Sequence, residues 1–213
     1  MASAFSREAD ETTRLPALSD GVIAIVITLL VLDITVPELP PDSPSRVVLQ
    51  SIVAQWPEFL GYVLSFWVIG VYWLLHRRTF THIECHDHGL VVLNLLFLLL
   101  VAFIPYATSV FVTYPGQFGV TFLSVVLALT GLSMALVWIH ASRRDLVEEG
   151  LTSRTVGIQA ARFLASPVVL LLAAAVSLVD ARLAILTWLL LIPVNGVLQS
   201  RLAESLEESP GAA

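Results

Sequence analysis

The sequence predicts an all-α integral membrane protein with six transmembrane helices per chain, and three observations lead there. The 213 residues are 57% hydrophobic and only 13% charged, with mean hydropathy +0.85, whereas soluble domains carry about a quarter charged residues. A soluble core of this size has no room for so much apolar surface. Six stretches reach the roughly 20 apolar residues needed to cross a hydrocarbon layer. None shows the alternating polarity of a barrel strand. Backbone groups in lipid must be satisfied within the segment itself, which makes these stretches helices.

Taken in order, the spans cover residues 16–36, 52–76, 89–112, 118–141, 158–179 and 181–200. Only "VDAR" separates the last two, so they form an antiparallel hairpin. The segment "PELPPDSPSR" after the first span is Pro-rich and acidic, a stiff loop. All 11 basic residues are Arg. With the N-terminus in the cytoplasm, Arg7, Arg14, Arg77, Arg78, Arg143, Arg144, Arg154 and Arg201 fall inside. Arg162 lies near the inner end of the fifth span, and only Arg46 and Arg182 fall outside, as the positive-inside rule requires. Both termini are therefore expected in the cytoplasm and the protein in the cell inner membrane. Residues 1–14 and 202–213 are expected as tails around a six-helix domain over 15–201. "MASAFSREADETT" has no secretory pattern, so the first helix is expected to be retained.

Net charge is −6 with no basic stripe, which excludes a nucleic-acid binder. Cys85 is the single cysteine and forms no internal disulfide. Neither G-x-S-x-G, P-loop nor H-E-x-x-H is present, so catalysis is not expected. The loop "THIECHDH" places His82 and His86 at i, i+4 beside Glu84, Cys85 and His88, types that ligate zinc. Polar residues are equally at home at a membrane surface, and no metal or cofactor is expected. His140 is expected to cap the inner end of the fourth span.

Polar groups inside a membrane are costly and point to partners or to water. Ser19 and Asp20 open the first span, Trp73 and His76 close the second, and Asn94 lies little more than a turn inside the third. With Arg14 they are expected at one height as a single cluster holding three helices together, Arg14 and His76 facing Asp20. Ser19 as an N-cap and Asp20 as a dipole complement are the simpler roles. On the second span, Tyr62, Ser65, Phe66, Ile69, Trp73 and His76 form a stripe expected to pack on the first. On the first span, Gly21, Ile25, Thr28, Leu29, Leu32 and Val36 share a face. That face serves either ordinary helix packing or a pore, in which Ile25, Leu29 and Leu32 make successive apolar rings beside the Thr28 hydroxyl. Asp33, with Glu38 and Asp42, then gives an outer mouth a negative potential.

These residues resemble the bacterial branch of the transmembrane protein 175 (endolysosomal potassium channel) family. Its R-x-x-x-F-S-D motif opening the first helix is matched by Arg14 and Leu18-Ser19-Asp20. "GVIAIVITLLVL", "YVLSFWVIGVYWLLHRRTF" and "LNLLFLLLVAFIPYATSV" are similar to the segments that follow. The resemblance covers residues 14–112, and the last three helices in length and hydropathy alone. It implies a homotetramer with helix one lining a central pore and potassium permeating without a carbonyl filter. It also implies a constriction at Ile25, further rings at Leu29 and Leu32, and a selectivity-linked threonine at Thr28. Leu18 in place of the motif phenylalanine, and "HRR" in place of paired histidines, depart from the pattern. Two other functions stay open: a proton-coupled secondary transporter using Asp20 and His76 as a relay, and a non-conducting membrane scaffold.

Overall fold

The computed structural model describes residues 2–148, 152–191, 193–198 and 200, with side chains from Arg14 onward except Asp33. Helix α1 runs Ala2–Leu29 and tightens into a 3-10 turn over Leu30–Asp33. The others are α2 Ser45–Ala54, α3 Trp56–Phe80, α4 His88–Thr113, α5 Gln117–Arg143, α6 Ser153–Ser177 and α7 Ala181–Trp188. Among the described residues, six stretches are long and apolar enough to cross a membrane, the last over Ala181–Leu198. The N-terminal segment expected as a tail is helical from Ala2 and continuous with the first span. The C-terminal tail lies outside the described residues.

One helix was missing from the sequence expectation. Ser45–Ala54 forms α2, with no buried residue, and the second span starts at Trp56 rather than near residue 52. Pro57 explains the break. It has no N–H to give the Val53 carbonyl, and that carbonyl accepts from Gln55 instead. The Gln55 Nε2 group reaches across to the Thr35 carbonyl at 2.8 Å, tying this corner to the chain leaving the first span.

Other ends follow from local chemistry. Asp87 caps α4 by accepting from the Leu90 N–H at 2.7 Å, and Thr152 caps α6 through the Thr155 N–H. Asp180, in the "VDAR" turn, caps α7 through Arg182 and Leu183. Asp145 stops α5 in the left-handed conformation, φ 54°, which Asp tolerates.

Helix α5 is the central post. Of its most apolar stretch 67% is buried by the chain itself, against 22% for the first span. Leu123, Met134 and Trp138 on α5 share one core with Phe97, Val101 and Ile104 on α4 and Phe163 and Leu170 on α6. Helix α1 attaches from one side only, through Ile23 and Leu30. At the arginine-rich end the α3–α4 and α5–α6 connections are stitched together. Ile83 and Val147 form a β-bridge, His82 Nδ1 meets Glu148 at 2.7 Å, and His140 Nε2 lies 2.9 Å from both Asp87 oxygens.

Candidate functional site: the first helix and its polar attachments

Of the six polar residues expected as one cluster, five divide into two hydrogen-bonded groups and Arg14 joins neither. The first is buried. Ser19 Oγ donates to the Leu15 carbonyl at 3.0 Å and accepts from Asn94 Nδ2 at 2.9 Å. Asn94 Oδ1 lies 2.8 Å from His76 Nε2. A carboxamide oxygen only accepts, so the proton of this bond sits on Nε2. All three side chains are at most 1% exposed. The His76 ring is stacked between Phe80 at 4.2 Å and Phe97 at 5.4 Å between centroids. The chain Ser19–Asn94–His76 thus joins α1, α4 and α3 at one level.

The second group lies at the surface of the chain. Trp73 Nε1–H donates to Asp20 Oδ1 at 2.8 Å, and Arg77 stands 5.7 Å over the Trp73 ring. His76 turns to Asn94 rather than to Asp20. Arg14 is exposed and makes no hydrogen bond or ion pair among the described residues. The division follows from helical geometry. Ser19 and Asp20 are consecutive and point about 100° apart, so one turns into the bundle and the other stays at its edge. Trp73 and His76, three residues apart on α3, point about 60° apart, and only His76 turns fully into the bundle. The buried stripe of α3 is Gly61, Ser65, Ile69, Tyr72 and His76. Phe66, one position off that stripe, is exposed instead.

Below these attachments, the opposite face of α1 is bare. Ile25 is 58% exposed, Leu29 52% and Leu32 70%, while Ser19, Ile23 and Leu30 across the helix are buried. In the 3-10 turn that follows Leu29, residues three apart align along the axis, which stacks Leu32 over Leu29. Thr28 is exposed beside this stripe. Its hydroxyl proton is shared between the Ala24 and Ile25 carbonyls, both 2.9 Å away. The oxygen is left with its lone pairs as acceptors. Asp33 ends the 3-10 turn, and its side chain lies outside the described set.

Some contacts carry no local sequence signal. The Phe97 ring against His76 comes from α4, whereas Phe80 lies one turn on from His76 in α3 itself, a readable i, i+4 pair. Asp87 and His140 were more readable, an N-cap and a last-turn histidine on consecutive helices. The Leu90 N–H foremost, with His140 and Arg144, holds the Asp87 carboxyl below its ordinary value of 3.8, against a smaller opposing effect of burial. His82, expected among the loop's ligand types, is engaged with Glu148.

Comparison with known proteins places this geometry. The family model described as the endosomal/lysosomal potassium channel TMEM175 matches residues 14–105, the region holding both polar groups and the bare stripe. A potassium channel of Streptomyces collinus is 37% identical over 139 residues, covering 63% of this chain and 66% of that one. A potassium channel of Chamaesiphon minutus is 37% identical over 142 residues, covering 65% and 70%. The human endosomal/lysosomal proton channel TMEM175 is 28% identical over 125 residues, of which this chain spans 24% of the length. The crystal structure of a lysosomal potassium-selective channel TMEM175 homolog from Chamaesiphon minutus superposes with TM-score 0.69 at 27% identity. That match covers 92% of this chain and 98% of the other. On its motif-bearing first three spans and on its whole fold, the chain belongs to the TMEM175 family, a family of ion channels and not of enzymes.

Proposed function

We propose that this chain forms a potassium-preferring cation channel, assembled as a homotetramer in the inner membrane with both termini cytoplasmic. The first helix of each subunit supplies the constriction. The observation that carries the reading is the bare stripe Ile25, Leu29 and Leu32, opposite a helix side fixed by a buried polar chain. An apolar ring around an axis needs its helix held in one rotational register. Directional bonds at Ser19 hold that register better than apolar contacts alone, because slipping strands buried polar groups. The bacterial relatives' description as potassium channels, and the potassium-selective homolog of the same fold, support the permeant ion.

In this reading an ion passes successive apolar rings, the narrowest at Ile25, and such rings gate by dewetting. Thr28 offers a lone-pair acceptor beside them, and Asp33 draws cations to the outer mouth. Without a cage of carbonyls, selectivity rests on how cheaply each ion rearranges its water, so the expected preference for potassium over sodium is modest. The test is a reversal potential under mixed potassium and sodium in a reconstituted bilayer. Discrete current steps with a potassium preference are expected, and equal permeability refutes the ion assignment. Ile25→Asn wets the narrowest ring and is expected to raise conductance.

A second reading has one specific support: the vertebrate relatives are named proton channels. Acidification of vesicles monitored by a pH-sensitive dye, without potassium on either side, separates proton permeation from potassium conduction.

A further inference from the structure

We propose that Arg162 and Arg78 form a binding site for a phosphate group, supplied by an anionic phospholipid at the arginine-rich end of the bundle. Arg162 stands inside α6, about 14 Å along the helix from its start. It is only 8% exposed, yet its guanidinium makes no hydrogen bond or ion pair among the described residues, and its Nε is enclosed without a partner. Arg78 on α3 is exposed and near enough to act on it electrostatically, as a second positive charge. Neither guanidinium meets a carboxylate among the described residues. A buried, unpaired cation is among the costliest arrangements in a folded chain, and membrane proteins keep such groups for an ion, water or a headgroup.

The surroundings narrow the ligand. Beside Arg162, Tyr72, Gly131, Met134, Phe163 and Asn195 line a cavity of about 20 Å³. That is room for about one water on the Nε–H and too little for a phosphate. The anion must meet the outer edge of the guanidinium, within electrostatic reach of exposed Arg78. Arg presents a planar fork of donors that matches phosphate oxygens two at a time. A free ion has to leave water to reach this depth, whereas a lipid phosphate already lies at the interface to which an arginine side chain extends. Basic pockets between spans at this end of membrane proteins take anionic headgroups. Gln159, one turn before Arg162 on the same side of α6, has an enclosed Oε1 with no donor. A headgroup with free hydroxyls, such as phosphatidylglycerol, supplies the donor that Gln159 lacks and the acceptor that Arg162 lacks. The choline ammonium of a zwitterionic lipid finds no acid beside Arg162 among the described residues.

The test uses the full-length protein, stripped of lipid in detergent, and follows its thermal unfolding midpoint with phosphatidylglycerol, phosphatidylcholine or inorganic phosphate added. A ligand that binds only the folded state raises the midpoint. Phosphatidylglycerol is expected to raise it by several degrees more than phosphatidylcholine. Arg78→Gln and Arg162→Gln lose that difference, and Arg162→Lys keeps part of it. A shift with inorganic phosphate that matches phosphatidylglycerol and vanishes in Arg162→Gln upholds the phosphate site and makes its source soluble. Equal shifts from the two lipids in the unmodified protein overturn the proposal, as does a full phosphatidylglycerol-specific shift in Arg78→Gln. Arg78 is exposed, so that variant folds even where Arg162→Gln does not. The readout is independent of ion conduction.

Discussion

Asn94→Leu is the sharpest probe of how the first helix is held. Leu keeps the branched outline and heavy-atom count of Asn but has bulkier methyl groups, so both side-chain bonds of residue 94 disappear and some overpacking of this buried site is added. His76 Nε2–H is then a buried donor without an acceptor, at a cost of about 1–3 kcal/mol. Ser19 keeps its bond to the Leu15 carbonyl and loses only the one it accepts, which adds about 0.5–1.5 kcal/mol. The two bond losses sum to about 1.5–4.5 kcal/mol. In a chain of this length each kcal/mol moves the midpoint by about 2–4 °C, so Asn94→Leu is expected to melt about 3–18 °C lower. The assay is thermal unfolding in detergent by circular dichroism. Pairing the substitution with His76→Phe sharpens it. The ring at position 76 lies between Phe80 and Phe97, so phenylalanine fits and removes the orphaned donor. The double variant is expected to be about 1–3 kcal/mol more stable than the two single costs added together. Additive costs, or an Asn94→Leu midpoint within a degree of the unmodified protein, refute the idea that these bonds fix the helix.

Further outcomes follow from other sites. Trp73→Phe keeps a ring under Arg77 but loses the bond to Asp20, and because Asp20 is exposed the cost is expected near the low end, about 0.5–1 kcal/mol by chemical unfolding. Gly119→Ala drives a Cβ into the Tyr114 carbonyl oxygen, and is expected to cost about 1–3 kcal/mol. Gly116→Ala, with nothing within 4 Å, is the matched control. Asp87 gives a pH dependence. Its folded-state value lies below the ordinary 3.8, so its stabilisation is complete above that pH and is lost as pH falls through the lower, folded value. Asp87→Ala is expected to cost about 1 kcal/mol at neutral pH as a lost cap and to flatten the decline of the melting midpoint below pH 4. An unchanged acid limb argues against the cap.

Much of this protein was legible in its residues because lipid imposes a blunt rule. A backbone in hydrocarbon must be helical, so hydropathy and length alone determined six spans, and "VDAR" between two apolar runs determined a tight turn. The motif residues of the first span, with the segments that follow it, pointed to the family. Intramembrane Ser19, Asn94 and His76 announced that they needed partners, because the cost of burying them is a property of each side chain. Which partner each took was decided only by the tertiary structure. Choosing Asn94 over Asp20 for His76, and Trp73 for Asp20, turns on a helical rotation of about 100° per residue, and composition carries no record of it. The break at Pro57 was written in the chain but needed the Val53 carbonyl to be located. Arg162 is the clearest case. In sequence it reads as one more arginine at the inner end of a span, and only the packing of α3 and α5 against α6 leaves its positive charge enclosed without a counter-ion among the described residues.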